Sequence, residues 1–92
     1  MVTRTVIISN TLGVHARAAA KFVHAASAYT ARVTVAHGDR VVDGKSILGL
    51  LLLAAARGTA ITITADGLDE ADAIETLCGL IDGGFGEGPC ID

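Results

Sequence analysis

Asn10-Thr11-Leu12-Gly13-Val14-His15-Ala16-Arg17-Ala18-Ala19-Ala20-Lys21-Phe22-Val23 is the stretch that decides how this chain folds. The run before it, Val6-Ile7-Ile8, is β-branched and favours a strand. Past His15 the period changes. Ala16, Ala19, Phe22, Val23 and Ala26 recur at helical spacing, while Arg17, Lys21 and His24 lie on another face at i, i+4 and i+7. His15 therefore stands where a strand and a Gly-containing loop hand over to a helix. The first-turn N–H groups of a helix lack intrahelical partners and carry the positive end of its dipole. An imidazole there, backed by Arg17, suits a phosphoryl group whose oxygens are met by backbone N–H groups. A capping histidine beside an ordinary basic helix face fits the same residues. Physics alone leaves both readings standing.

Working outward, the spacing predicts a strand near Thr3–Ser9 with Val6 and Ile8 on its buried face, then a helix from about Ala16 to Ala28. Arg32-Val33-Thr34-Val35 alternates as a half-buried strand does. His37-Gly38-Asp39 reads as a hairpin turn into a short strand, Arg40–Asp43. Ser46 is placed to cap the next helix through its hydroxyl. That helix, Ile47 to about Leu53, is apolar round most of its circumference, broken by Gly49. A short surface helix buries one stripe, so a surplus of leucines implies either deep burial or an exposed docking surface. Arg57-Gly58-Thr59 turns the chain into Ile61-Thr62-Ile63-Thr64, a strand with one wet face. After the Asp66-Gly67 turn, Asp69 is expected to cap a last helix with Glu70 and Asp72 in its first turn. Its apolar stripe is Ile74, Leu77, Cys78 and Ile81, and Gly83-Gly84 ends it. Residues from Gly88 on lack periodicity and are expected to fray.

The order β-α-β-β-α-β-α with polar alternation argues for an α+β fold, an antiparallel sheet with all helices on one face. Ninety-two residues with 51% hydrophobic content suit one compact domain, and 3% aromatics make its core aliphatic. The net charge of −3 argues against a nucleic-acid binder. The positive residues near His15 are then local, which suits a small anionic group. The longest apolar run, Ile47 to Ala56, falls short of the ~20 residues that span a bilayer, so no membrane association is expected. No signal peptide is read at the N-terminus. Cys78 and Cys90 form neither a disulfide framework nor a metal pattern; Cys78 reads as core and Cys90 as an exposed thiol, which together point to a reducing cytoplasm.

Asn10-x-x-Gly13-Val14-His15-Ala16-Arg17 followed by Ala19-Ala20-Lys21-Phe22-Val23 resembles the active-site segment of HPr, the histidine-containing phosphocarrier family of the bacterial phosphoenolpyruvate-dependent sugar phosphotransferase system. Gly44-Lys45-Ser46-Ile47-Leu48-Gly49-Leu50, Ala65-Asp66-Gly67-x-Asp69-Glu70 and Phe85-Gly86-Glu87 match in the same order. The similarity covers about residues 3 to 87 and implies a single HPr-like domain over 1–87, a tail at 88–92, and the family's open-faced sandwich: a four-stranded antiparallel sheet with three helices on one face. The family usually has proline directly after the arginine, where this chain has Ala18.

The resemblance implies that Nδ1 of His15 takes a phosphoryl group from phospho-enzyme I and hands it to IIA-type domains. Arg17 and the backbone of Ala16, Arg17 and Ala18 would then stabilise the phosphate, with Ile47, Leu48, Leu51 and Lys21 for partner docking. Such a protein is a phosphoryl carrier with a phosphohistidine intermediate rather than an independent catalyst, and a monomer without a cofactor. Ser46 becomes a candidate regulatory site for an HPr kinase/phosphorylase, against the reading of a cap alone. Three other readings compete. One is a nitrogen-branch phosphocarrier. Another is a regulatory module whose phosphorylation state controls binding to target proteins. The third, a metal site from His15, His24 and His37, lacks any recognised ligand spacing.

Overall fold

The computed structural model describes residues 1–10, 13–53 and 55–86. The expectations for the 88–92 tail, for Cys90 and for Glu87 fall outside those residues. The elements are β1 (Val2–Ile7), α1 (Ala16–Ser27), β2 (Arg32–His37), β3 (Arg40–Asp43), α2 (Ile47–Leu53), β4 (Ala60–Asp66) and α3 (Glu70–Asp82), with a 3-10 turn at Gly84–Gly86. Order and types are those read from the residues. The boundaries differ at the ends: β2 runs on to His37 and β4 to Asp66, because each continues to pair with its neighbour.

The clean Ile-Thr-Ile-Thr alternation belongs to β4, which lies inside the sheet in the order β1-β4-β2-β3. All pairings are antiparallel, with Val6 opposite Ile61 and Val35 opposite Ile63. Period two sends these residues to the helix side and the threonines to the other. There Thr3 pairs with Thr64 and Thr5 with Thr62 through hydroxyl contacts of 3.2 and 3.1 Å. A fully buried Ile, Leu or Val contributes about 1.5–3 kcal/mol, so the aliphatic face against α1 and α3 supplies most of the drive to fold. Phe22 and Phe85 complete that core, with Cys78, Ile74, Leu77 and Ile81 from α3. Burial pushes the Cys78 thiol up, as its core placement requires.

The surplus of leucines in α2 divides cleanly. Leu50 and Leu53 are buried, while Ile47, Leu48, Leu51 and Leu52 are exposed. Ser46 caps this helix as expected, its Oγ accepting the Gly49 N–H at 3.0 Å. The far end is closed by the hairpin: Arg40 donates to the Leu52 carbonyl at 2.6 Å, and His37 Nδ1 lies 3.3 Å from the Leu53 carbonyl.

Asp69 departs from expectation. It stands at the N-cap of α3 yet makes no side-chain cap bond. Its carboxylate accepts the backbone N–H groups of Thr30 and Ala31, both at 2.8 Å, and so ties the α1–β2 connection to α3. Glu70 reaches back to Gly67 N instead, at 3.1 Å. The Thr30 and Ala31 N–H groups draw the Asp69 carboxylate away from the first turn of α3, while the Glu70 bond closes the turn before the helix.

Candidate functional site

The loop between β1 and α1 is held from both ends by one segment. At its start, Ile8 N donates to Thr59 O at 2.9 Å and Gly58 N donates to Ile8 O at 2.8 Å. At its close, Val14 N donates to Ala55 O at 2.9 Å. Gly13 takes φ +68°, and a Cβ there would lie 2.6 Å from Ala55 O and 2.9 Å from the Ala56 Cα. Glycine is needed both for the left-handed conformation and for the approach of backbone to backbone. Buried Asn10 braces the turn, its Nδ2 donating to Gly13 O at 2.6 Å.

This scaffold sets His15 at the N-cap of α1, with extended backbone (φ −98°, ψ −179°). Its carbonyl accepts the Ala19 N–H at 2.8 Å, the first turn of the helix. Nδ1 accepts the Arg17 N–H at 3.2 Å, so Nδ1 carries its lone pair and the ring proton sits on Nε2. A half-buried imidazole thus does what Ser or Asp does at other helix starts. No acidic residue stands in the first turn to offset the positive end of the dipole. Ala18 and Ala19 are fully buried, which seats α1 on the core and leaves Arg17 exposed beside the imidazole. Chemically, this is a nitrogen lone pair beside a backbone donor at a helix start, with an exposed arginine two residues on.

Other residues singled out from the sequence lie on neighbouring elements. The exposed Ile47, Leu48 and Leu51 lie on α2, which packs against α1. Lys21 is directed within the chain, its Nζ donating to Phe85 O at 2.8 Å. Phe85 is buried and has a left-handed backbone, φ 58°. Among the described residues, no group of three or more His, Cys, Asp or Glu side chains is arranged to hold a metal. Nor, among them, is any helix long and apolar enough to cross a membrane. Sequence reasoning missed the Ala55–Gly58 support. Alanines carry no pattern of their own; the one signal was Gly13, a glycine needing a neighbour too close for a side chain.

A family model described as the PTS HPr component phosphorylation site matches residues 2–82. Phosphocarrier protein HPr of Neisseria meningitidis serogroup B (strain MC58) is 50% identical over 88 residues, covering 96% of this chain and 99% of the relative. Phosphocarrier protein NPr of Shewanella violacea is 40% identical over 84 residues, covering 91% of this chain and 92% of that protein. Among solved structures, HPr-C-His from Thermoanaerobacter tengcongensis superposes with a TM-score of 0.93 at 38% identity, over 97% of this chain and 100% of the other.

Proposed function

The chain belongs to the HPr family of phosphotransferase-system phosphocarriers, and within it we propose that His15 accepts a phosphoryl group from phospho-enzyme I and passes it to IIA-type domains. The observation that carries this reading is the Arg17 N–H to His15 Nδ1 contact of 3.2 Å at the start of α1. It holds the attacking lone pair at the one place in the helix where backbone donors are unspent. In transfer, the Nδ1 lone pair forms the new P–N bond while the donor's bond to phosphorus breaks and leaves its electron pair with the donor. No proton has to leave Nδ1, because the ring proton is on Nε2. The Arg17 N–H then turns from the ring to a phosphoryl oxygen, joined by the Ala16 and Ala18 backbone and the Arg17 guanidinium. Phosphoryl transfer asks for positioning and charge neutralisation, and this is what these groups supply. A helix end contributes about 0.3–2 kcal/mol to an anion, modest enough for onward release.

The exposed α2 leucines are the docking surface in this reading. Ser46 is a candidate regulatory site, since phosphate at the α2 N-cap would place charge beside that apolar surface. The NPr relative supports a second reading, a nitrogen-branch carrier with the same chemistry. Incubation with enzyme I and phosphoenolpyruvate, followed by intact mass and peptide mapping, tests the carrier reading. One acid-labile phosphoryl group on His15 is expected; labelling of a His15→Ala variant would refute it. Onward transfer to sugar-type against nitrogen-type IIA domains separates the two branches.

A further inference from the structure

Ala55 and Gly58, the residues that pin the two ends of the His15 loop, bracket Arg57. The chain there makes a tight turn, Thr59 N donating to Ala56 O at 3.0 Å with Gly58 at φ +86°. Arg57 is therefore carried on a rigid, exposed corner held directly against the active-site loop. The other cations nearby are spent on carbonyls: Lys21 on Phe85, Arg40 on Leu52, Lys45 on Tyr29. Among the described residues, the ion pairs are those of the Met1 ammonium with Asp66 and Glu70. Arg17 and Arg57 are thus two exposed residues with no carboxylate partner among the described residues, carried on the two segments that meet at Gly13 and Val14.

Two like charges on adjoining segments are best used together, on an anion that both can reach. The incoming phosphoryl group is that anion. It is a dianion when attached to nitrogen, and a planar guanidinium fork matches its oxygens. Arg17 reaches it from the helix side, and Arg57 directly follows Ala56, whose Cα stands 2.9 Å from where a Gly13 Cβ would lie.

We propose that Arg57 is a second phosphoryl-binding residue, joining Arg17 on the group carried by His15 from the Ala55–Gly58 segment. This rests on the carrier reading above, and leaves its bond changes as they stand: Nδ1–P forms, donor–P breaks, and Arg57 exchanges no proton.

The test uses phosphoramidate, a small phosphoryl donor that removes any partner protein from the comparison. Wild-type, Arg57→Ala, Arg57→Lys and Arg17→Ala chains are phosphorylated with it and followed by phosphorus NMR. Arg57→Ala is expected to slow labelling of His15 about tenfold and to raise the pH at which the phosphoryl group titrates by about half a unit. Arg57→Lys is expected to recover the titration in part, since charge returns without the fork. Arg57 sits on an exposed corner, and an unchanged melting temperature keeps the comparison free of folding effects. Labelling and titration unaltered in Arg57→Ala overturn the proposal. So does a defect seen only with enzyme I as donor, because Arg57 would then meet the partner's surface rather than the phosphoryl group. If the wild-type chain takes no phosphoryl group on His15, the carrier reading itself fails, a result distinct from either.

Discussion

The Arg17 backbone N–H donates to Nδ1 of His15 across 3.2 Å, so the nitrogen that caps α1 is also the one to which the carrier reading assigns the chemistry. These two duties separate by substitution. His15→Asn keeps a side-chain oxygen for the Arg17 N–H, whereas His15→Ala removes the acceptor. Both are expected to abolish phosphorylation. Loss of the cap costs about 0.5–2 kcal/mol, so His15→Ala is expected to melt several degrees lower and His15→Asn close to wild type. Urea denaturation of the pair checks this. Equal loss of stability in both would mean that the contact contributes nothing as a cap.

Glycines with the same left-handed backbone are expected to respond very differently to alanine. At Gly38 (φ +61°) a Cβ meets nothing within 4 Å, so Gly38→Ala should cost only the conformational strain, about 1–2 kcal/mol. At Gly13 (φ +68°) the added Cβ would lie 2.6 Å from Ala55 O, and neither backbone can step aside without releasing Val14. Gly13→Ala should therefore cost clearly more than Gly38→Ala, and should also slow phosphorylation by displacing His15. Thermal melts and the enzyme I assay on both variants decide it.

Much of this was legible from period and punctuation. Alternation named β4, the i, i+3, i+4, i+7 stripe named α3, and the change of period at His15 placed the start of α1. What was not legible lay in contacts across sequence distance. Asp69 looks like a cap because Glu70 and Asp72 follow it, yet its carboxylate is taken by Thr30 and Ala31. Local spacing cannot weigh a donor that arrives from another element. Lys21 reads as part of an exposed basic face, but Phe85 brings a carbonyl within 2.8 Å of it. The same limit hid the support under His15, since Ala55 offers only a backbone oxygen.

Acid stability should report on Asp69 and Glu70. The Thr30 N–H foremost, with the Ala31 N–H, holds the Asp69 carboxyl below the usual aspartate range. The N-terminal ammonium foremost, with the Gly67 N–H, lowers Glu70. A carboxyl whose folded pKa is depressed stabilises above its unfolded value and loses that contribution as pH falls through the folded one. Wild-type stability should thus fall as pH drops below about 4. Asp69→Ala should melt lower at neutral pH and show a shallower acid slope. The ammonium is raised by Glu70, so its contribution is full below the unfolded value and lost as pH rises past about 8. Melts between pH 2 and pH 10, a range about those values, check both limbs.

Leu48 and Leu50 stand on opposite faces of α2, 67% and 2% exposed. Leu50→Ala should cost about 2–5 kcal/mol through the cavity it leaves. Leu48→Asp should stay within about 0.5 kcal/mol of wild type, as surface changes do. If α2 is the docking surface, Leu48→Asp weakens enzyme I binding by tenfold or more, because a charge is then buried against an apolar partner. Calorimetric titration with enzyme I measures it. Wild-type affinity in Leu48→Asp would move docking off this helix.

Ala18 stands where the family usually carries proline. With His15 at the N-cap, Ala18 is the third residue of α1, where the N–H has no partner inside the helix. A proline there forfeits no helical hydrogen bond, and its fixed φ suits a first turn. The side chain is fully buried, so the ring must share the space that seats α1 on the core. The usual proline of the family indicates that this fold has room for it. Ala18→Pro is therefore expected to stabilise by about 0.4–1 kcal/mol, acting through the less flexible unfolded chain. Phosphorylation of His15 should change by only a small factor, since the Arg17 N–H and both guanidiniums remain. A melt lowered by several degrees would show that the core around Ala18 has closed on the smaller side chain. Near-total loss of transfer with the melt intact would make the Ala18 N–H an indispensable phosphoryl ligand, one that relatives with proline do without.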